Sequence, residues 1–378
     1  MTKNPLRKLE DFGQSVWLDY IRRQMITSGD LQRLIEADGL KGMTSNPAIF
    51  EKAISGNSDY DEAIRAMVMQ HQSLEEIYQA LTVEDVQLAA DVFLPLYEKL
   101  EGRDGFVSLE VNPHLARDTA GTIAEARRLW QTVARPNIFI KVPATPEGLP
   151  AITQLISDGI NVNVTLLFGL PRYEKVAEAY IAGLEARAAG GQSLKRLASV
   201  ASFFLSRIDV LIDPKLEKIM ASGGPQAIAA KTLRGEVAIA SAKMAYSIYK
   251  RIFGSERFQS LAAKGANPQR VLWASTGTKN PDYSDVKYVE ALIGPDTINT
   301  LPPETLDAYR DHGNPAPRLE EGLDQAAGIL QRLPELGLDL NQVTQQLEDE
   351  GIEKFNNPYD SLMRTLEVKR REALMAKI

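Results

Sequence analysis

The sequence places one lysine in the middle of a short apolar segment. Lys141 lies in the run IFIKV of residues 138–142, which ends at Pro143-Ala144-Thr145. A lysine on an exposed edge strand would alternate with other polar residues, and this run has none. Burying an ammonium group is costly and favours the neutral amine, which is the form that attacks a carbonyl carbon. We therefore predict a nucleophilic Lys141, with a buried structural ion pair as the less favoured alternative.

Two carboxylates end apolar segments in a similar way. Asp19 ends the run VWLD of residues 16–19, and Glu110 ends the run VSLE of residues 107–110. Taken alone, either could equally be a helix N-cap or a solvated loop acid. Beside a buried lysine they would supply the acid and the base that Schiff-base chemistry needs. Dehydration of a carbinolamine needs a proton donor, and cleavage of a C–C bond needs a base on the adjacent hydroxyl.

Neutral polar residues also occur inside or directly after apolar runs. Asn163 and Thr165 are two residues apart in one run, so they share a strand face. Ser202 belongs to the end of another run, and Asn46 precedes a proline at a predicted strand-to-turn junction. These groups suit the binding of a polyhydroxylated substrate. Ordinary capping and turn hydrogen bonds are equally expected for each of them singly.

Cations that could bind a phosphate group follow the later apolar runs. Arg207 comes directly after the segment SFFLS of residues 202–206, and the segment STGTK ends in Lys279. The second segment is small and rich in hydroxyls, which suits an oxyanion cradle made of backbone N–H groups and one cation. It lacks the spacing of a Walker A loop, G-x-x-x-x-G-K-[ST].

Eight short apolar runs are the elements that must position these residues. Most are continuous rather than alternating, which is typical of parallel strands buried on both faces. The runs are residues 16–21, 39–44, 106–111, 137–142, 160–168, 198–204, 270–275 and 297–301. Helical patterns lie between them, among them residues 118–133, which open with an Asp suited to an N-cap, and residues 173–184 and 231–253. The alternation predicts an α/β fold, a (β/α)8 TIM barrel, because the G-x-G-x-x-G turn of a doubly wound open sheet is missing.

Two regions depart from the simple alternation. Residues 47–82 contain more than one helix between the second and third strands, which indicates an insertion. Residues 318–378 are predicted to be a helical C-terminal extension, broken around Gly351 and at Asn356-Asn357-Pro358. We predict a single domain over residues 1–378, of which this extension is a part.

The composition narrows the classes of function. A net charge of -7 and a pI of about 5.3 give no basic face for nucleic acid or anionic lipid, although a small anionic substrate could still bind to a few local cations. Without cysteine there are no disulfides, thiolate zinc sites or cysteine nucleophiles. His71, His114 and His312 are expected at the surface. No run approaches the ~20 apolar residues of a membrane span, and none resembles a signal peptide, so a cytoplasmic protein is expected.

Taken in order, the motifs resemble those of the transaldolase family. The resemblance extends from about residue 10 to about residue 370, and its ordered set of motifs is specific although each motif alone is weak. The matching segments are 44–47 (TSNP), 108–111 (SLEV), 140–145 (IKVPAT), 163–168 (NVTLLF), 202–209 (SFFLSRID), 273–276 (WAST) and 351–355 (GIEKF).

The resemblance implies a class I aldolase mechanism on a (β/α)8 barrel, without metal or organic cofactor. Lys141 matches the lysine that forms a Schiff base with sedoheptulose 7-phosphate or fructose 6-phosphate. Asp19 matches the acid-base residue acting on the hydroxyl next to the bond that breaks. Glu110 and Thr165 match the pair that holds a water for proton transfer during imine formation. Small sugar phosphates are the implied partners, and the implied assembly is a monomer or homodimer.

The same resemblance assigns the substrate-binding residues. The positions matching the groups around the dihydroxyacetone part are Asn46, Asn163 and Ser202, with Thr44 nearby. Phe204 matches an aromatic residue on the pocket wall, and Arg207 and Ser275 match phosphate binders. One position departs, because Gly277 stands where well-known members carry an arginine. Lys279 is the candidate substitute.

The implied reaction is transfer of a dihydroxyacetone unit to glyceraldehyde 3-phosphate in the pentose phosphate pathway. A lysine aldolase similar to fructose 6-phosphate aldolase, which would release free dihydroxyacetone, is the alternative enzyme. A barrel that only binds its ligand is a further alternative, since fold does not fix function. It would leave the lysine and the two acids unexplained.

Overall fold

The computed structural model describes residues 4–375. Eight parallel strands, hydrogen-bonded in chain order, form a closed barrel in which β1 also pairs with β8. The strands are β1 (Gln14–Asp19), β2 (Gly42–Thr44), β3 (Phe106–Glu110), β4 (Ile138–Pro143), β5 (Val162–Leu167), β6 (Ser199–Phe204), β7 (Arg270–Ala274) and β8 (Thr297–Leu301). Each strand overlaps one of the eight predicted runs, so the predicted (β/α)8 barrel is confirmed. Among the strand residues of the described chain, Asp19 alone is partly exposed and the others are buried.

Helices surround the barrel. They are α1 (Pro5–Asp11), α2 (Arg23–Thr27), α3 (Asp30–Asp38), α4 (Pro47–Ser55), α5 (Asp61–Met69), α6 (Leu74–Lys99), α7 (Thr119–Val133), α8 (Gly148–Asp158), α9 (Leu170–Ala189), α10 (Ser206–Ser222), α11 (Gly224–Leu233), α12 (Val237–Phe253), α13 (Glu256–Ala262), α14 (Lys287–Glu290), α15 (Pro303–His312), α16 (Leu323–Arg332) and α17 (Leu340–Met375). Short 3-10 turns occupy Pro113–Arg117 and Pro334–Leu336. Between residues 4 and 375, no helix combines the length and the hydropathy needed to cross a bilayer.

The predicted insertion between β2 and β3 consists of α4, α5 and α6, so more than one helix is confirmed there. The predicted helix at residues 118–133 is also confirmed as α7, whose N-cap Asp118 accepts a hydrogen bond from the Gly121 N–H at 2.9 Å. The single helix predicted over residues 231–253 is wrong. The chain ends α11 at Leu233 and begins α12 at Val237, because Gly235 adopts φ +75° and donates its N–H to Asp213 at 2.8 Å.

The break predicted within the C-terminal extension is also wrong. One helix, α17, continues through both Gly351 and Pro358 to Met375. Glycine and proline inside a helix cost about 1 and 3 kcal/mol relative to alanine. Tertiary packing offsets that cost here, because Phe355, Tyr359 and Leu362 on this helix are all buried.

The barrel interior is layered. Its middle layer contains the rings of Trp17, Phe106 and Phe139, with 4.3 Å between the centroids of the two phenylalanines. Toward the N-terminal ends of the strands, Arg270 forms an ion pair with buried Asp104 at 3.2 Å. Toward the C-terminal ends, Lys141 follows Phe139 on the same face of β4. The lysine therefore lies directly above an apolar layer that closes the barrel below it.

Candidate active site

A cavity of about 420 Å³ opens at the C-terminal ends of the strands, where (β/α)8 barrels bind their substrates. Of the predicted site residues, those lining it are Asp19, Thr44, Asn46, Lys141, Ser202, Phe204, Arg207, Ser275 and Lys279. The other three, Glu110, Asn163 and Thr165, are buried within the strands next to Lys141. The predicted residues therefore form one continuous group, although more than 250 residues separate the first from the last.

Lys141 lies at the floor of this cavity. Its side chain is 5% exposed, and its Nζ donates a hydrogen bond to the Ser45 carbonyl at 3.0 Å. The Glu110 Oε2 atom is 3.3 Å from the same Nζ, because β3 and β4 pair with Glu110 opposite Lys141. A buried ion pair was the alternative to a nucleophilic lysine. The structure contains that pair and also exposes the lysine to the cavity.

The Glu110 carboxyl is set up to gain and lose a proton near neutral pH. Burial raises its pKa to about 7, and the nearby Lys141 ammonium acts in the opposite direction. Within residues 4–375, the buried Thr165 Oγ1 has no hydrogen-bond partner, and Glu110 Oε2 has the 3.3 Å contact with the Lys141 ammonium but no further hydrogen bond. Thr165 is on β5, the strand that pairs with β4 on the side away from β3. These two oxygens can therefore accept or donate hydrogen bonds beside the lysine.

Asp19 ends β1 at the side of the cavity. Burial raises the pKa of this carboxyl, while Lys141, a hydrogen bond from Thr44 and the Arg207 charge lower it. Thr44 Oγ1 donates to Asp19 Oδ1 at 2.7 Å and lies 2.7 Å from Thr300 Oγ1. Since the Thr44 hydroxyl has one proton and gives it to Asp19, Thr300 must donate to Thr44. The chain of two threonines fixes the orientation of the carboxylate, and sequence reasoning missed Thr300.

A second hydrogen-bonded chain connects the neutral residues. Ser202 Oγ donates to Asn163 Oδ1 at 2.7 Å, and Asn163 Nδ2 donates to Ser108 Oγ at 3.0 Å. The Ser45 hydroxyl in turn donates to the Ser108 carbonyl at 2.7 Å. Sequence reasoning missed Ser45 and Ser108. For Ser108 a signal was present, because it is two residues before Glu110 and so shares its strand face.

Asn46 caps a helix and also lines the cavity, so both roles considered for it from the sequence are present. Its side-chain oxygen accepts from the Ile49 N–H at 3.1 Å and caps α4, which is the ordinary role expected of an asparagine before a helix. The residue also lines the cavity. Because the cap uses only the carbonyl oxygen, the amide nitrogen can donate to a substrate.

Two cationic side chains, Arg207 and Lys279, line the part of the cavity formed by the ends of β6 and β7. Arg207 lies in the first turn of α10, with its guanidinium carbon 5.4 Å from the centroid of the Phe204 ring. Burial lowers the pKa of Arg207, against the effect of Asp19. Its Nη1 is buried and has no hydrogen-bond partner within the described chain. A helix N-terminus carries partial positive charge, so the start of α10 and this guanidinium both favour an anion here.

The loop after β7 completes the cationic side. Ser275 has φ +54°, and its Oγ is 2.9 Å from the Ser206 hydroxyl at the start of α10. A Cβ placed on Gly277 would lie 3.2 Å from Pro302 Cγ and 3.7 Å from Lys279 Nζ. The Lys279 ammonium therefore lies beside the space that a side chain at position 277 would enter.

Other residues line the cavity without having been predicted, among them Tyr20, Lys52, Glu304 and Phe355. Phe355 comes from α17, and its ring centroid is 5.6 Å from Lys141 Nζ. Its position could not be derived from the strand pattern, since α17 follows the last strand. The three histidines are exposed, as predicted.

The sequence comparisons agree with this geometry. The family model described as Transaldolase/Fructose-6-phosphate aldolase matches residues 16–366. The chain belongs to this family. A protein named Transaldolase from Trichodesmium erythraeum is 50% identical over 377 residues, which cover 98% of each chain. Transaldolase 2 from a Nostoc strain is 50% identical over 374 residues and 98% of each chain. Transaldolase from Thiobacillus denitrificans is 47% identical over 360 residues, covering 95% of this chain and 99% of the relative.

Membership confirms the predicted resemblance and the predicted enzyme class. The chain is an enzyme of the transaldolase type, a transferase on a TIM barrel. The reading of the barrel as a mere binding protein is thereby set aside.

Proposed function

We propose that the protein transfers a dihydroxyacetone unit from sedoheptulose 7-phosphate to glyceraldehyde 3-phosphate through a Schiff base on Lys141. The products are erythrose 4-phosphate and fructose 6-phosphate, as in the pentose phosphate pathway. The observation that carries the proposal is the buried Lys141 amine at the cavity floor, 3.3 Å from the Glu110 carboxyl whose pKa is about 7. A carboxylate whose conjugate acid has that pKa can take up the proton that Lys141 gives up to become the attacking neutral amine, and can return a proton at neutral pH.

The reaction begins with the amine. Lys141 attacks the ketone carbon of the donor, and the carbinolamine loses water to give an iminium ion. Glu110 is the proton donor for that dehydration, acting through a water held between its Oε2 and Thr165 Oγ1. Among the described residues Thr165 Oγ1 lacks a hydrogen-bond partner, and Glu110 Oε2 has no hydrogen bond beyond its contact with Lys141 Nζ, which supports this role.

Cleavage follows at the bond between the α-carbon and the β-carbon, counted from the iminium carbon. Asp19 takes the proton of the hydroxyl on the departing fragment, the C–C bond breaks, and the bonding electrons move onto the iminium nitrogen. The aldose phosphate leaves, and dihydroxyacetone stays on Lys141 as an enamine. The hydrogen bond from Thr44 to Asp19 supports this role, because it holds one carboxylate oxygen and leaves the other to act as a base.

The remaining predicted residues bind the substrate. Asn46, Asn163 and Ser202 hold the hydroxyls of the dihydroxyacetone part, and Phe204 forms an apolar wall beside it. Arg207, Ser275 and Lys279 bind the phosphate at the far end. The unpartnered Nη1 of Arg207 supports an anion site there. Lys279, which lies beside position 277, takes the role of the arginine that well-known family members carry where this chain has Gly277.

The rest of the proposal concerns organisation. We propose that the predicted single domain holds over residues 4–375, since α17 contributes Phe355 to the cavity; the first three and last three residues of that prediction lie outside the described residues. A cytoplasmic location and a monomeric or homodimeric state stay predictions. The aldolase-like release of free dihydroxyacetone is the second candidate activity, and the family description that covers both activities is the observation in its favour.

Borohydride trapping tests the Schiff base. The protein is incubated with fructose 6-phosphate and sodium borohydride, and its intact mass and peptide map are measured. We expect a stable adduct on Lys141 that is lost in Lys141→Met and retained in Lys52→Met, which replaces another lysine that lines the same cavity. No adduct, or an adduct on another lysine, contradicts the mechanism. Adding erythrose 4-phosphate then separates the activities, since a transferase forms sedoheptulose 7-phosphate and an aldolase releases dihydroxyacetone.

A further inference from the structure

The last helix brings an aromatic side chain over the reactive lysine. Gly351, Phe355 and Tyr359 recur at intervals of four residues, so they lie on one face of α17. That face is turned to the barrel, because all three residues are buried and Phe355 is only 4% exposed. The Phe355 ring lies 5.6 Å from Lys141 Nζ and lines the cavity. Phe355 is thus the contact of α17 with the reacting group.

Gly351 lets the helix approach the barrel closely. A Cβ at this position would lie 2.9 Å from Leu166 Cδ2, closer than real Cβ contacts occur. Leu166 itself has φ +54°, at the point where the pairing of β5 with β6 shifts in register. An L-residue rarely adopts this conformation, so the strand is strained where the helix rests on it. The close fit brings Phe355, one turn further along α17, down to the cavity.

Polar contacts on both sides of Phe355 hold α17 in place. Tyr359 OH accepts a hydrogen bond from Asn112 Nδ2 at 3.3 Å, and Asp360 is 2.8 Å from His114 Nε2. On the preceding turn, Asp349 pairs with Arg117 at 2.7 Å. These contacts join α17 to the segment after β3, the strand that contains Glu110. The ring is therefore held at a fixed position over the lysine.

The fate of the enamine depends on access of water. In transfer, the enamine carbon bonds to the aldehyde carbon of the acceptor, and the aldehyde oxygen takes the proton held by Asp19. In release, the enamine carbon takes a proton instead, giving an iminium ion. One water then adds to the iminium carbon, and dihydroxyacetone leaves the neutral amine. This water balances the one lost when the imine formed, so no further reactant is needed.

We infer that Phe355 is the residue that keeps water from the enamine on Lys141 and thereby favours transfer over release of dihydroxyacetone. The inference rests on the proposed function. Protonation of the carbon needs a proton donor within hydrogen-bond distance, and the apolar Phe355 ring, 5.6 Å from Lys141 Nζ, excludes such a donor from the side of the lysine next to α17. Polar groups approach the lysine from the strands, where Glu110 and the Ser45 carbonyl lie.

The ratio of release to transfer is the measurement. Free dihydroxyacetone is assayed with fructose 6-phosphate alone, and sedoheptulose 7-phosphate is assayed after erythrose 4-phosphate is added. We expect Phe355→Ala to raise the ratio at least about tenfold, and Phe355→Leu to raise it less because an apolar side chain remains. Gly351→Ala should raise it less than Phe355→Ala does, since the added Cβ meets only the end of the Leu166 side chain.

A matched control separates the ring from general loosening of the helix. Leu362 is fully buried on α17 and does not line the cavity, so Leu362→Ala should leave the ratio unchanged. If Phe355→Ala does not fold, Phe355→Leu and Gly351→Ala decide the question. A ratio within about twofold of the wild type in the folded Phe355 variants overturns the inference. Borohydride trapping of the wild type is read separately, and its failure would reject the proposed function instead.

Discussion

Replacing Glu110 by glutamine should change how the stability of the protein depends on pH. Glu110 is buried, and its pKa is raised from 4.5 to about 7 mainly by burial. The folded state therefore binds the proton of this carboxyl more tightly than the unfolded state does. Below pH 4.5 the Glu110 carboxyl is protonated in both states and does not lower the free energy of unfolding. As pH rises from 4.5 to 7 the carboxyl destabilises the folded state increasingly, and above pH 7 the full destabilisation is present. Glutamine has the same shape and no proton to lose.

The size of the effect follows from the two pKa values. With 4.5 in the unfolded chain and about 7 in the folded chain, the carboxyl costs about 1 kcal/mol at pH 5 and about 3 kcal/mol at pH 8. The free energy of unfolding of the wild type should thus fall by about 2 kcal/mol between these pH values, and that of Glu110→Gln should not. Removing the partner of Lys141 also shifts the stability of the variant. The quantity compared is therefore the slope of the free energy of unfolding against pH rather than its absolute value.

Urea unfolding at pH 5, 6, 7 and 8 is the assay, with Glu353→Gln as the control for loss of one carboxylate. Glu353 is exposed on α17, so its variant should follow the wild-type pH dependence. Parallel curves for the wild type and Glu110→Gln, within about 0.5 kcal/mol over the range, would refute the reasoning. They would mean that Glu110 does not titrate near neutrality in the folded protein and is unsuited to the proton transfer proposed for it.

Three further outcomes are expected. Asp19→Asn should slow C–C cleavage by about 10²–10⁴-fold while borohydride trapping of the imine slows much less; equal losses in single-turnover measurements would contradict its role as the base. Arg207→Gln should raise KM for fructose 6-phosphate about 10–100-fold, and Lys279→Gln less because Lys279 is exposed; the same change with unphosphorylated fructose would argue against phosphate binding. Asp104→Ala leaves the Arg270 guanidinium buried without its ion-pair partner, so the free energy of unfolding should fall by about 3–5 kcal/mol with KM unaltered. If urea unfolding shows a loss under about 1 kcal/mol, the Arg270–Asp104 ion pair does not contribute to stability as a buried pair should.

The barrel could be predicted because its strands are buried on both faces. Such strands are continuous apolar runs, and a polar residue inside one is costly enough to need a reason. This is why Lys141 stood out in a run of four apolar neighbours. The same argument found Asp19 and Glu110, and the structure brings all three to one end of the barrel.

Helix boundaries were less predictable, because distant contacts set them. The break between α11 and α12 depends on Asp213, a residue of the earlier helix α10. Its carboxylate accepts a hydrogen bond from the Gly235 N–H. Nothing local to residues 231–253 shows that partner. In α17 the local signals favour a break, at Gly351 and at Pro358. Burial of the helix against the barrel outweighs them, and the helix continues. In both cases tertiary contacts override local propensity.

Within the site, the types of the residues were predictable and their pairing was not. Pairing of Glu110 with Lys141 follows from the register of β3 against β4, which the two separate runs do not contain. That register also gives the proton transfer a direction. The Lys141 charge lowers the pKa of Glu110, so the pKa rises when the lysine nitrogen becomes neutral in the carbinolamine, and the carboxyl then holds the proton needed for dehydration. Formation of the cationic iminium restores the positive charge and favours release of that proton. In the proposed cycle, each change of charge on the lysine therefore moves Glu110 toward the protonation state that the next step requires.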